Sequence, residues 1–303
     1  MNDSETLARS LTRRFGGRWS AQPLRASSFC STWHARGRGM DAFVKSLPMS
    51  SAPVLEAEAD GLDALAATRT VAVPAVHGCW CDEEAGLAVL AMQWMTLRLP
   101  DAGFGERFGR ALGALHRALP PAGGGCFGWH RDNMLGGTPQ RNRWSAHGGR
   151  NGWIAFVAHE RLGALNARLA HRGAPAALRA AVDQVIAALP GCFDDGYAPR
   201  ASLVHGDLWS GNWAMLTDGT PVVYDPAVSC SDAEAELAMM ELFGGPPSGF
   251  WQAYRQAAGL HEGYPRRRAL YQLYHLLNHV LLFGGSYEQQ ALACAHRLLK
   301  GSG

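Results

Sequence analysis

Apolar and polar positions change rhythm about a third of the way along the chain. Residues 18–47 alternate, with Gly37-Arg38-Gly39 as a turn, which predicts a β-hairpin ending at Lys45. Over residues 52–67 the period lengthens. Leu55, Ala59, Leu62 and Leu65 recur at three and four, and Pro53 stands near the start, so a helix is expected there. Residues 71–80 and 87–95 return to strand-like runs. Beyond them the spacing is helical over 104–119 (stopped by Pro120-Pro121), 153–170, 175–189, 232–243, 249–257, 266–283 and 287–299. Residues 123–152 are rich in glycine and polar side chains, with Trp129 and Trp144 interspersed. The stretch is too long for a bare connection, which points to an ordered functional loop or insertion. The pattern as a whole predicts an α+β chain in two lobes. Residues 1–95 form a small β-rich lobe with one inserted helix, and residues 96–303 a larger, mainly helical lobe.

At the N-terminus Leu7, Leu11 and Phe15 fall at helical spacing among Arg9, Arg13, Arg14 and Arg18. Basic amphipathic segments of this kind include transit peptides, but Asp3 and Glu5 precede the arginines, and acidic residues are scarce in such peptides. A short helix packed on the first lobe is expected instead.

Composition narrows the function classes. Of 303 residues, 47% are hydrophobic and 18% charged, a globular balance, and the net charge of +2 does not call for a nucleic-acid partner. No apolar run approaches the roughly 20 residues that span a bilayer, so no membrane role is expected. Seven scattered cysteines, an odd number, suggest reduced thiols in a cytoplasm. His77, Cys79 and Cys81 alternate along a strand without a second cluster to complete four ligands, so a structural role outweighs a metal site. Lysine usage is skewed: of 28 basic residues only Lys45 and Lys300 are lysine. Lys45 sits inside the apolar run Ala42-Phe43-Val44-Lys45. Either its stem snorkels along the strand, or a compact ammonium is needed where a guanidinium fork would not serve.

The chemistry concentrates in residues 202–226, SLVHGDLWSGNWAMLTDGTPVVYDP. A strand, a tight polar loop and a second strand present His205, Asp207, Asn212 and Asp225. Kinase catalytic loops share this pattern: a base Asp, an Asn five residues on for magnesium, and a metal-binding Asp after a following strand. Asp207 suits the acceptance of a hydroxyl proton. Asn212 and Asp225 offer hard oxygen ligands for Mg2+. Pro226 restricts the backbone beside Asp225, and His205 suits bracing the loop by hydrogen bonds. Asp218-Gly219 reads as a hairpin turn. Upstream, Glu58 is placed to orient the Lys45 ammonium toward phosphates, with Glu56, two residues away on another helix face, as its competitor.

The segment HGDLWSGN…VVYDPAVSCSDAEAELAMMELFGG resembles the fructosamine kinases, or ketosamine-3-kinases, within the aminoglycoside phosphotransferase-like group of protein-kinase-like fold. Phe43-Val44-Lys45, Leu55-Glu56-Ala57-Glu58, Leu112-Gly113, Leu115-His116, Asp132-Asn133, Gly136, Thr138-Pro139-Gln140, Asn142, Phe156 and Arg161-Leu162 carry the resemblance over nearly the whole chain, from about residue 20 to the end. The resemblance implies transfer of the γ-phosphate of ATP to the sugar 3-hydroxyl of a ketosamine, which leads to deglycation of the amine. By the same token Asp207 is the base, Asn212 and Asp225 hold magnesium, Lys45 contacts the ATP phosphates with Glu58 as its partner, and backbone groups of Gln93 and Met95 meet adenine. Ser28 and Cys30 fall on the phosphate loop, where Ala26–Thr32 departs from the family by having no glycine; Cys30 is there either an oxidisable thiol or an inert small residue. Trp209 and His205 are placed at the substrate, with Trp209 either walling the sugar or supporting the loop. The implied acceptor is a small glycated amine or a glycated protein lysine, and the expected assembly is a monomer or weak dimer. The alternatives are an aminoglycoside- or choline-kinase-like phosphotransferase and a nucleotide-binding pseudokinase.

Overall fold

The computed structural model describes residues 3–24, 29–120 and 124–301. Helix α1 (Asp3–Phe15) buries Leu7 and Leu11, one turn apart, against Trp19, Trp33 and Val89. Each such burial contributes about 1.5–3 kcal/mol. Asp3 and Glu5 in its first turn and Arg13 and Arg14 in its last complement the helix dipole, and Arg13 grips the buried carboxylate of Asp82 at 2.7 Å. Three antiparallel strands follow, β1 (Trp19–Pro23), β2 (Ser31–Gly37) and β3 (Met40–Pro48). Helix α2 (Ala52–Thr68) separates them from β4 (Val76–Asp82) and β5 (Leu87–Gln93), and the five form one sheet in the order β1-β2-β3-β5-β4. The expected hairpin is real, but β1 adds a third strand to it. Leu55 and Leu62 of α2 pack on Leu90 and Met92 of β5. Glu58 lies between them on the same helical stripe, which turns it toward the sheet.

Residues 71–80 do not form one strand. β4 begins only at Val76, because Ala72 pairs with Val222 of the second lobe and accepts the Val223 N–H at 2.9 Å. A bulge at His77 then shifts the register, Cys79 packs into the apolar layer under α2, and Cys81 is exposed, so the three side chains do not converge.

The second lobe begins with β6 (Leu97–Arg98) and α3 (Phe104–Arg117). The hairpin β7 (Asn133–Leu135) and β8 (Thr138–Gln140) gives order to the glycine-rich insertion. Where one helix was expected over 153–170, α4 (Gly149–Phe156) and α5 (Gly163–His171) are joined by a π-helical turn, Val157–Leu162, that buries Glu160 and Arg161. After α6 (Ala176–Ala188) come four short strands, β9 (Ala201–Val204), β10 (Trp213–Leu216), β11 (Pro221–Val223) and β12 (Ser229–Asp232). The chain ends with α7 (Ala233–Leu242), α8 (Phe250–Ala258), α9 (Tyr264–Phe283) and α10 (Ser286–Gly301). β9 pairs with β12, and β10 lies between β11 and β6. Residues Ala176–Phe193 are long and apolar enough to cross a membrane by length and composition, which the sequence reading did not allow for. Leu178, Val182, Val185 and Leu189 of that stretch are nevertheless buried in the core of this lobe.

The lobe is knit by a close helix pair. Gly105, Gly109 and Gly113, one turn apart on α3, face α8 and the residues that lead into it. A Cβ at Gly109 would stand 2.4 Å from the Phe250 carbonyl oxygen, and one at Gly113 would stand 2.6 Å from Ala257 Cβ. Only hydrogen side chains permit that approach, and the approach sets His116 of α3 beside Tyr254 of α8.

Candidate active site

β9 is buried along its whole length and delivers His205 beneath the loop that follows. His205 Nε2 lies 2.9 Å from the Tyr224 carbonyl oxygen and Nδ1 lies 3.3 Å from the Asp207 N–H, so the imidazole ties the loop to the end of β11. Burial pushes its pKa down and keeps it neutral. His205 is fully enclosed, and its placement at the substrate is therefore corrected: it braces the loop from inside. Gly206 has φ +86°, and a Cβ there would sit 2.1 Å from the Ala227 carbonyl oxygen, so the turn that presents Asp207 requires glycine.

Asn212 donates from Nδ2 to the Asp207 carbonyl oxygen at 2.8 Å and, at 3.4 Å, to Oδ2 of its carboxylate. That leaves Oδ1 of Asn212 as the atom suited to a cation. Asp225, after β11, adopts φ +59° directly before Pro226, a conformation that L-residues rarely take. Its Oδ1 lies 2.8 Å from Lys45 Nζ, and Glu58 Oε1 lies 2.7 Å from the same nitrogen. Glu56 instead lies 3.6 Å from Arg131. The competition for Lys45 is thus settled in favour of Glu58, the residue on the apolar stripe of α2. Lys45 is buried, which alone would lower its pKa, but the two carboxylates outweigh this and raise it. Burial pushes the Glu58 carboxyl up against the pull of Lys45.

Asp207, Asn212, Asp225, Lys45 and Glu58 line one crevice of about 270 Å3, together with Phe29, Cys30, Asn133 and Trp209. Trp209 is 40% exposed there and is not a core residue. Its ring covers Gly211, where a Cβ would meet the indole at 2.4 Å. Asp207 has its pKa pushed up to about 7, first by burial and then by the negative charge of Asp225; the Asn212 amide partly offsets both. Two carboxylates that repel each other beside a neutral amide oxygen form a hard, anionic donor set. Such a set fits a divalent cation that takes few protein ligands.

A second hollow, of about 470 Å3, opens at the end of β5 between Phe43, Met92, Trp94 and Tyr224, and Asp225 borders both spaces. Gln93 and Met95 line it. The Gln93 N–H already bonds the Ala75 carbonyl at 2.8 Å, so a base edge would meet its carbonyl instead. Trp94 is held by a stacked His34 ring, centroids 3.7 Å apart, and the hollow has the flat apolar walls a purine needs. Ser28 lies outside the described residues; Cys30 borders the crevice and is partly buried.

The sequence reading missed the support behind the loop. Glu236 of α7 accepts the Gly206 N–H at 2.7 Å on one oxygen and lies 2.9 Å from His116 Nε2 through the other; His116 Nδ1 in turn lies 2.8 Å from the Tyr254 hydroxyl. Burial alone would raise the Glu236 pKa, but the hydrogen bond and charge of His116, with the Gly206 N–H, hold it below the ordinary carboxylate range. A Glu four residues into a helix after a buried Asp cap was the available signal. The insertion also reaches across to α2: Trp129 Nε1 donates to Asp60 at 2.7 Å, and His130 lies 3.1 Å from the same carboxylate. Together with the Arg131–Glu56 contact, this clamps the helix that carries Glu58 onto the second lobe.

A five-stranded lobe with a Lys–Glu pair, set over a helical lobe with an Asp-x4-Asn loop and a second Asp, is the arrangement of the kinase-like phosphotransferases. Aminoglycoside phosphotransferase APH(4)-Ia shares the fold with a TM-score of 0.65, at 15% identity over 99% of each chain. Within that class the match narrows. A family model described as fructosamine kinase matches residues 4–301. A Synechocystis protein assigned as a ketoamine kinase is 42% identical over 256 residues, covering 82% of this chain and 80% of its own length. A crystal structure from Thermobifida fusca, assigned as a fructosamine-3-kinase, is 33% identical with a TM-score of 0.83, covering 99% of this chain and all of its own. The chain belongs to the fructosamine kinase family. It is a kinase, and the family implies ATP as phosphoryl donor.

Proposed function

We propose that this chain is a ketosamine 3-kinase, which moves the γ-phosphate of ATP to the 3-hydroxyl of a fructosamine or ribulosamine and so leads to deglycation of the amine. The observation that carries the reading is the gathering of Asp207, Asn212 and Asp225 in one crevice facing Lys45. In this reading residues 1–95 hold the nucleotide and residues 96–303 carry the catalytic loop and the acceptor. Adenine lies in the hollow at Gln93 and Met95. Lys45, aimed by Glu58, sets a point charge against the phosphates. Asp207 accepts the proton of the incoming hydroxyl; its raised pKa makes it a better base than an exposed carboxylate. Trp209 forms a wall beside the sugar. Asn212 Oδ1 and the Asp225 carboxylate would hold Mg2+, which when bound neutralises charge on the phosphate oxygens. Small glycated amines and glycated protein lysines are the acceptor classes. Seven cysteines outside any disulfide support a cytoplasmic setting, and a crevice assembled from one chain suits a monomer or weak dimer.

The test is phosphate transfer from labelled ATP, with and without magnesium, to a panel of fructosamines, ribulosamines, an aminoglycoside and choline. Transfer to the ketosamines, abolished by Asp207→Asn and by Asp225→Ala in folded protein, is the expected result. Preference for the aminoglycoside or choline, or turnover retained in both variants, would overturn the reading.

A further inference from the structure

Beside the crevice the surface carries a basic trough that the phosphoryl-transfer site does not use. One part, about 620 Å3, runs along α5 with Arg141, Arg143, His159 and Arg168 around a floor of Gly163, Ala164 and Ala167. A second, about 230 Å3, continues past Arg168 and His171 to Arg172 and the tip of the β7–β8 hairpin at Gly137. Gly136, next along the hairpin, lines the catalytic crevice, so the trough begins where the crevice opens. Among the described residues no acidic side chain lines either part.

The charge is concentrated here. Arg141, Arg143, Arg168 and Arg172 line the trough, and Glu160 pairs with the first two of them, on a chain whose total charge is +2. Glu160 is buried at the π-helical turn and holds Arg141 at 3.0 Å and Arg143 at 2.9 Å from beneath. That anchorage fixes two guanidiniums at the rim and reduces the ordering cost of binding an anion. Arg168 and Arg172 enter no ion pair among the described residues; Arg172 donates to the Leu281 carbonyl oxygen at 3.4 Å, a neutral partner that leaves its charge uncompensated. The small residues of the floor leave room for a main chain between the charged rims.

We propose that this trough docks an acidic segment of a glycated protein, positioning a ketosamine-bearing lysine of that protein over the crevice. The proposal rests on the ketosamine-kinase reading and makes polypeptide-borne adducts with acidic flanks its preferred substrates. Rim charges of this kind act on encounter and selectivity and are screened within about 10 Å at 0.1 M salt.

The test compares the parent with Arg168→Gln/Arg172→Gln, which leaves the Glu160 pairs intact. Substrates are two peptides with the same glycated lysine, one with acidic and one with neutral flanks, and a free glycated lysine derivative. For the parent, kcat/KM should favour the acidic peptide by about tenfold at low salt, and added salt should erase the preference. The double variant should lose about fivefold on the acidic peptide and nothing on the other two. In parallel, fluorescence anisotropy of the same peptides without the sugar reads the trough independently of turnover. If no ketosamine is phosphorylated yet the acidic peptide still binds the parent more tightly than the variant, the kinase reading falls and the docking surface stands. Equal binding of acidic and neutral peptides, an unaltered acidic preference in the variant, or tighter binding of a single-stranded RNA of the same length would overturn the proposal.

Discussion

Replacing Lys45 by methionine should separate what the ammonium does for the fold from what it does for chemistry. Its side chain and that of Glu58 are 9% and 13% exposed, whereas Asp225 is 48% exposed and can remain hydrated. The stability cost therefore falls on Glu58, a buried carboxylate left without its counter-ion, for which about 3–5 kcal/mol is typical. Protonation caps the cost. Taking a carboxyl of ordinary pKa 4.5 to its neutral form near pH 7.5 requires about 4 kcal/mol, at about 1.4 kcal/mol per pH unit. In the variant the folded state holds the Glu58 proton more tightly than the unfolded state does. Its stability is then greatest below about pH 4.5 and declines as pH rises toward the elevated folded pKa. Urea unfolding should show a loss of about 3–4 kcal/mol near pH 7.5, shrinking to about 1–2 kcal/mol near pH 5.5. Lys45→Met/Glu58→Gln should recover most of the stability at both pH values, while ATP turnover stays absent in the single and the double variant. An equal loss at both pH values, or no recovery in the double variant, would refute the buried-pair reasoning.

Three further outcomes follow from the geometry of the loop. With Asp207 near pKa 7 and required in its ionised form, kcat/KM should fall about tenfold per unit below pH 7, and a profile flat to about pH 5 would contradict this. The same raised pKa means that ionised Asp207 is strained by burial. Metal-free Asp207→Asn should thus be inactive yet more stable than the parent above pH 7 by roughly 2–4 kcal/mol, a difference that vanishes as pH falls toward 4. Glu236→Gln keeps the shape but removes the charge that Gly206 and His116 share; steady-state kinetics should show kcat lower by about 10–100-fold with the KM for ATP little changed, since the base and not the nucleotide is misplaced.

What was legible in the sequence was the chemistry packed into short spans. Asp207 and Asn212 are five residues apart on one loop, and Asp225 follows a single hairpin, so local patterning sufficed. Lys45 and Glu58 could be paired because a strand and the next helix place them there, but Glu58 was preferred to Glu56 only through the family resemblance; the packed stripe of α2 is what turns Glu58 toward Lys45. The contacts that resisted reading are long-range. Lys45 meets Asp225 across 180 positions, and His116 meets Glu236 across 120. Neither partner carries a local signature of the other. Ala72 bonding to β11 removed a stretch that looked like strand from the first sheet, because an apolar run does not reveal which lobe it joins. His205 carried two readings, a brace of the loop and a contact at the substrate, and its burial leaves only the brace.

The most direct measurement is 31P and 13C NMR of the products formed from ATP, magnesium and a fructosyl-lysine derivative. The account predicts a new phosphate ester on the sugar 3-oxygen, formed by the parent and missing with Asp207→Asn. A phosphate on any other oxygen, ATP hydrolysis without a sugar ester, or the same ester formed by the Asp207→Asn protein would contradict it.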